Sequence, residues 1–293
     1  MDVTLHIENI LHEALGHTVS PSGPPLLQEA LRYAVLPGGA RVRPRLTLAV
    51  AEACGGADRP LAAAAAAAIE ILHCASRVHD DLPCFDDAAT RRGRPSVHAR
   101  FGERIAVLAG DALIVLAFEC VARGGVHAPQ KLPGVLSAVA GGVGSPHGIV
   151  AGQAWECEPS VVLSQYQQAK TGALFAAATM AGCAAGSVSA DDDPAAWRSL
   201  GARLGEAYQV ADDLRDVLSL TEECGKPVGR DVALDRPSSV RELGVRGAMS
   251  QLDGLIEEVL DAIPPCPGRQ ALRALLLAES KRFLSKELAQ RAA

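Results

Sequence analysis

Two clusters of acids carry the chemical potential of this chain. The first is His79-Asp80-Asp81-Leu82-Pro83-Cys84-Phe85-Asp86-Asp87, and the second is Ala211-Asp212-Asp213-Leu214-Arg215-Asp216. Each adjoins an apolar run, Leu72 to Val78 and Leu204 to Val210, so neither reads as a fully exposed face. One such cluster is as readily a capped helix end as a site, but two are harder to dismiss. Carboxylate oxygens offered without His or Cys are hard ligands that suit Mg²⁺, an ion that keeps several waters and bridges a few carboxylates to substrate phosphates. Asp80, Asp81, Asp86, Asp212, Asp213 and Asp216 are therefore candidate metal ligands, and a diphosphate is the natural substrate class.

Spacing refines this. On an unbroken helix Asp80 and Asp86 would point about 120° apart. Pro83 cannot continue the hydrogen-bond ladder, so a helix distorted there is expected to let both carboxylates converge. Asp212 and Asp216, four residues apart, share a helix face. Cations stand nearby: Arg91-Arg92-Gly93-Arg94-Pro95 follows the first cluster, Arg41, Arg43 and Arg45 follow Pro37-Gly38-Gly39, and Lys170 and Lys226 lie further on. Arginine forks match phosphate oxygens in two-point contacts, although most arginines in any protein make surface salt bridges. His73 lies seven residues before Asp80 on the same helical stripe, which favours a ligand role over that of a satisfied core histidine.

The elements that must position these groups are helices. The 293 residues include 52 alanines but only ten aromatics, five Phe, three Tyr and two Trp. Alanine loses no side-chain entropy in a helix, whereas sheets favour rings and β-branched residues, so an all-α protein is expected and a sandwich or barrel is not. Helical patterns are broken at 20–25, 37–39, 54–60, 124–133, 141–148, 187–194 and 264–268. The polar stretch 220–239 reads as a surface loop. No shift in composition divides the chain, so residues 1–293 are expected to form a single domain.

Composition also excludes. The net charge of −6 leaves no basic surplus for generic nucleic-acid binding. The eight cysteines include no C-x-x-C pair and read as buried thiols of a reducing compartment. With no basic and apolar leader in the first residues, a cytoplasmic location is expected. Uncharged stretches at 132–155 and 171–190 invite a membrane reading; glycines and prolines break the first, and the second fits a buried central helix better than a span. Trp155 and Trp197 read as packing residues.

The order of motifs resembles that of the short-chain trans-prenyl diphosphate synthases, in the isoprenoid synthase family. The first acidic cluster matches D-D-x-x-x-x-D with a Pro83-Cys84 insertion, and the second matches D-D-x-x-D after Tyr208-Gln209-Val210. Between them stand Leu108-Ala109-Gly110-Asp111, Gly152-Gln153 and Lys170-Thr171-Gly172, and after them Gly225-Lys226-Pro227-Val228-Gly229-Arg230-Asp231. The likeness runs from about Leu26 to the C-terminus and is strongest to geranylgeranyl diphosphate synthases of carotenoid-making bacteria.

The resemblance implies an orthogonal bundle of ten to thirteen helices around one cavity, usually a homodimer. It implies that Asp80 and Asp86 on one wall and Asp212 on the other hold three Mg²⁺ ions on an allylic diphosphate (dimethylallyl, geranyl or farnesyl). Arg91, Lys170 and Lys226 would complete that clamp, and Arg43, His73 and Arg92 would hold isopentenyl diphosphate. Gln209 and the Lys170-Thr171 segment would face the allyl cation. Ala75 and Ser76, five and four residues before Asp80, are small where farnesyl-making relatives carry a ring, so a C20 product is expected. The alternatives are a C15 synthase and a non-catalytic subunit that modulates a partner; a terpene cyclase would carry an Asn/Ser/Glu triad in place of the second cluster.

Three positions depart from the family pattern. Ala40 replaces a lysine expected on isopentenyl diphosphate, so either Arg41 or Arg45 compensates or affinity for that substrate is weaker. Arg236 replaces a later lysine and keeps its charge. Arg77 stands where an apolar residue is usual, either in a salt bridge within a dimer or reaching toward the cavity. Asp111 is assigned a supporting or a structural role.

Overall fold

A chain this rich in alanine folds as helix almost throughout. The computed structural model describes residues 2–36, 38–56, 59–186, 193–218, 238–280 and 282. Thirteen α-helices lie among them: α1 (Val3–Gly16), α2 (Pro25–Val35), α3 (Val42–Ala53), α4 (Arg59–Asp80), α5 (Val97–Phe101), α6 (Glu103–Gly124), α7 (Leu132–Val143), α8 (Ile149–Ala154), α9 (Leu163–Gln167), α10 (Ala173–Ala185), α11 (Pro194–Leu218), α12 (Ser239–Asp261) and α13 (Arg269–Ser280). A single antiparallel hairpin, β1 (Thr90–Arg91) with β2 (Arg94–Pro95), is the only sheet among the described residues. This is the all-α bundle expected from composition.

Helix ends fall at the breaks because those residues cannot continue a helix. Pro25 opens α2, where a missing N–H costs nothing, and Pro133 does the same within the first turn of α7. Asp2 caps α1 by accepting from the Thr4 N–H at 2.8 Å, and Ser238 caps α12 by accepting from the Arg241 N–H.

Small residues set the spacing between helices. α4 packs along α6, and a methyl on Gly124 of α6 would strike Ala64 of α4. α10 is enclosed by α3, α4, α7 and α11; its Gly182 lies against the Thr47 carbonyl and Val50, and Gly142 of α7 lies against Ala177. Only a few rings interrupt this core, with Phe175 and Trp197 fully buried and Trp155 half-buried. The second uncharged stretch is thus a buried central helix over 173–185, as expected. Two other helices, α4 and α6, are long and apolar enough to cross a membrane, but they pack on one another in the core. Of their apolar windows, 72% and 44% are buried, so α6 keeps an uncovered apolar face.

One local expectation is corrected. α4 does not distort at Pro83; it stops at Asp80, three residues earlier. The following residues wind into turns in which the Asp86 N–H donates to the Asp80 carbonyl at 3.0 Å and the Ala88 N–H to the Asp81 carbonyl at 3.1 Å. Asp87 takes a left-handed conformation (φ 45°) within them. The carboxylates still converge, through a folded-back turn rather than a bent helix.

Candidate active site

A cavity of about 1030 Å³ opens between α3, α4, α6, α8, α10 and α11. One wall is acidic. Asp80, Asp86 and Glu156 each bring a carboxylate oxygen within 4.8 Å of the others. Lys170 leans into this group, paired with Glu156 and 3.7 Å from Asp80. Glu156 also accepts from the Tyr166 hydroxyl at 2.5 Å and the Gln153 amide at 2.9 Å. Asp212 lies on the same cavity from α11, where it pairs with Arg215 at 2.9 Å.

The acidic wall fits a hard divalent cation. Burial pushes the Asp80 carboxyl above its ordinary value, Lys170 opposes that shift, and Asp86 adds to it. Asp80 Oδ1 is buried and accepts no hydrogen bond. Crowded carboxylates of one charge, one of them holding a buried oxygen that accepts no hydrogen bond, form the donor set that Mg²⁺ takes up.

Three of the six predicted ligands are positioned otherwise. Asp81 is buried and held by Arg91, on a smaller side pocket of about 140 Å³. Asp213 accepts from the Gln209 amide and from the Ser239 N–H, each at 2.8 Å, and so pins the start of α12 to α11. Asp216 is buried and is not among the residues lining the cavity. Identical side chains in one short motif divide between the cavity lining and other neighbours because consecutive helical positions face different ways.

Lys170 and Thr171 sit in a π-helical turn, Gln168–Gly172, of the kind that recurs at functional sites. Its shape depends on two close approaches. A methyl on Gly152 of α8 would collide with the Lys170 backbone, and one on Gly205 of α11 would collide with Gly172. From this turn the Thr171 hydroxyl donates to the Gln209 carbonyl oxygen at 2.7 Å, fixing the amide whose NH₂ reaches Asp213.

The other wall is cationic. Arg43 is buried over the rings of Phe175 (4.5 Å) and Tyr208 (5.6 Å), and its Nε has no hydrogen-bond partner. Arg91 and Arg92 come from the hairpin, whose central residues Arg92 (φ 53°) and Gly93 (φ 71°) adopt the positive φ that a tight two-residue turn requires. The Arg92 guanidinium lies against Gly39. Burial and the charges of Arg43, Arg77, Arg92 and Arg41 hold His73 well below its ordinary pKa, so it is neutral near pH 7.

The expected compensation for Ala40 is not found at Arg41 or Arg45. Arg41 is buried, giving Nε to Glu8 at 2.8 Å, Nη1 to Glu70 at 2.6 Å and Nη2 to the Val35 carbonyl at 2.9 Å. Arg45 pairs with Glu279 at 3.1 Å and bonds Thr4. Both cations are spent on holding α3 in place. Arg77 faces the cavity. Arg94 is structural, stacked on Tyr33 at 3.7 Å and donating to its carbonyl.

Leu72, Ala75, Ile114, Val143, Ile149 and Leu174 line the apolar part of the cavity. Ser76 also lines it, its hydroxyl donating to the His73 carbonyl at 2.9 Å. Asp111 is exposed at the cavity's edge, 3.6 Å from His79. Lys226 and Arg236 lie outside the described residues. Sequence reasoning missed Glu156 and Arg215. The first follows Gln153 by three residues, and a lone acid so placed after 24 uncharged positions was a usable signal.

Carboxylates suited to a hard cation, a separate group of arginines and an apolar floor within one helical shell define a site for a substrate with a diphosphate head and a hydrocarbon tail. The polyprenyl synthetase family model matches residues 24–264. The chain is 48% identical to the geranylgeranyl diphosphate synthase of Cereibacter sphaeroides over 286 residues, 97% of this chain and 98% of that protein. It is 45% identical to the geranylgeranyl diphosphate synthase of Rhodobacter capsulatus, over 94% of each. Its fold is similar to that of a Helicobacter pylori geranyltransferase solved with magnesium and isoprenyl diphosphate, with a TM-score of 0.82, 30% identity, and 95% and 96% of the two chains covered. The chain belongs to the polyprenyl synthetase family.

Proposed function

We propose that this chain is a Mg²⁺-dependent prenyltransferase, working as one catalytic domain, that adds isopentenyl diphosphate to allylic diphosphates and makes geranylgeranyl diphosphate. The observation that carries this reading is the division of one cavity into an acidic wall and a cationic wall above an apolar floor.

On this reading Asp80, Asp86 and Glu156 on one side and Asp212 on the other would hold three Mg²⁺ ions for an allylic diphosphate. Mg²⁺ held there would supply positive charge to stabilise the departing diphosphate. Lys170 exchanges its carboxylate partners for phosphate oxygens, and Arg91 and Lys226 complete the clamp, with Arg236 adding charge. The Gln209 and Thr171 dipoles, already oriented, face the positive charge that develops on the allyl group as its C1–O bond breaks. Arg43, Arg92 and neutral His73 hold isopentenyl diphosphate, so its double bond is aligned with C1. Its π electrons form the new C–C bond, and a proton from the adjacent carbon passes to the departed diphosphate. The apolar floor keeps water from the cation. A second copy of the chain is assigned to the uncovered face of α6, where Leu108 and Val115 are 52% and 59% exposed.

Two experiments test this. The purified chain with Mg²⁺, isopentenyl diphosphate and dimethylallyl diphosphate is expected to yield a C20 product by chromatography, and none with EDTA. A main product of C15 would refute the length assignment, and no turnover by the chain alone would favour a modulating subunit. Glu156→Gln is expected to raise the Mg²⁺ concentration for half-maximal rate about tenfold, as loss of groups around a metal commonly does. An unchanged Mg²⁺ titration would mean that Glu156 serves Lys170 alone.

A further inference from the structure

We infer that Arg77 is a ligand for the diphosphate of isopentenyl diphosphate, supplying from α4 the charge that Ala40 withholds from the loop before α3. The inference rests on the assignment of Arg43, His73 and Arg92 to that substrate.

Four observations converge on Arg77. It follows His73 by four residues on α4, which places both on one face of the helix. It lines the main cavity and also the side pocket, so its side chain stands where the two adjoin. Its side chain makes no ion pair or hydrogen bond with any described residue, and burial together with the charges of Arg91 and Arg92 pushes its pKa down to about 10. The charges closest in effect are Arg91 and Arg92, both like its own, with Asp81 already held by Arg91.

A desolvated guanidinium facing two others is unfavourable unless an anion is to be shared among them. A diphosphate supplies enough oxygens to take forks from several arginines at once. The side of the cavity matters too. Lys170 and Asp86 act on Asp80, whereas Arg77, Arg43 and Arg92 act on His73, so Arg77 belongs to the cationic wall rather than to the acidic one. Ala40 lines the same cavity, between Gly39, which touches Arg92, and Arg41, which is paired with Glu8 and Glu70. The lost lysine is thus replaced by a cation arriving from another helix.

The acid on that wall, Glu70, is held by Arg41, so this subsite should bind its diphosphate without a divalent cation. Calorimetric titration of isopentenyl diphosphate into EDTA-treated protein therefore reads it directly. Arg77→Leu is expected to weaken binding about tenfold, the loss typical of one charged hydrogen bond. The KM for the allylic substrate, measured with Mg²⁺, should move less than twofold. Arg77→Lys should stay within threefold of the parent, and Ala40→Lys placed on Arg77→Leu should restore most of the loss. Unchanged binding in Arg77→Leu, with clear weakening in Arg92→Leu, would overturn the role of Arg77 and leave the subsite standing. Unchanged binding in both would overturn the assignment of that wall. Equal weakening toward both substrates would show a general charge effect and also refute the proposal. A leucine suits a partly buried helical site, and a thermal midpoint at or above the parent's would confirm that the variant is folded.

Discussion

Asp80→Asn is expected to lower kcat/KM by about a thousandfold while leaving the protein at least as stable as the parent. The loss follows from the geometry of the acidic wall, where Asp80 shares one cluster with Asp86 and Glu156 and lies 3.7 Å from Lys170. Removing one preplaced group that stabilises developing charge commonly costs 10²–10³-fold, roughly 3–4 kcal/mol, and a metal ligand stands at the upper end. The stability half of the expectation follows from the direction of the pKa shift. The Asp80 carboxyl is raised in the folded state, chiefly by burial, so the fold prefers it protonated. Above the folded-state pKa the ionised group therefore costs stability, and a neutral isostere removes that cost. Steady-state kinetics with saturating Mg²⁺ and a thermal melt in EDTA measure the two halves. Near-parental turnover would remove Asp80 from the clamp, and a large fall in melting temperature would assign it to the scaffold.

Ala75→Phe is expected to convert the main product from C20 to C15. Ala75 lines the cavity from α4 but is itself only 1% exposed, packed where the apolar floor begins. Five residues of helix separate it from Asp80, about 7.5 Å along the axis, and side chains lean toward the N-terminal end, away from the diphosphates. A phenyl group there occupies space that the last isoprene unit of a C20 chain requires. Neighbouring Ser76 is tied to the His73 carbonyl and so is the less effective stop. Chromatography of the products decides. An unchanged C20 product from a variant of parental stability would place the floor elsewhere. A C20 product with a melting temperature several degrees lower would mean that the ring had displaced the core, for which overpacking typically costs 1–3 kcal/mol.

The helices and their breaks were legible because alanine, glycine and proline act locally on the backbone. The division of labour among like residues was not. Asp212 and Asp213 are adjacent and chemically identical, yet one lines the cavity and the other anchors a backbone N–H 26 residues away. Arg41 and Arg43 look interchangeable in the chain, but Arg41 is consumed by Glu8 and Glu70, the first of them 33 residues away. Glu156 escaped notice because its partners come from different elements: Lys170 lies 14 residues on, in the π-helical turn, and Asp80 ends α4. Arg77 showed only as a departure from pattern. Its meaning required knowing that no acid among the described residues pairs with it.

Gly152 and Gly205 carry no functional group, but the π-helical turn bearing Lys170 and Thr171 rests directly against them. The space for one methyl at either position is already taken by backbone. Lys170 is thus aimed partly by atoms that are missing, and the constraint on its placement extends to positions with no side chain. On the role inferred for Arg77, a drifting sequence can move a cation from the loop before α3 to α4, because charge can be delivered from several directions. It has no comparable freedom at these glycines, where the only alternative is to move a backbone.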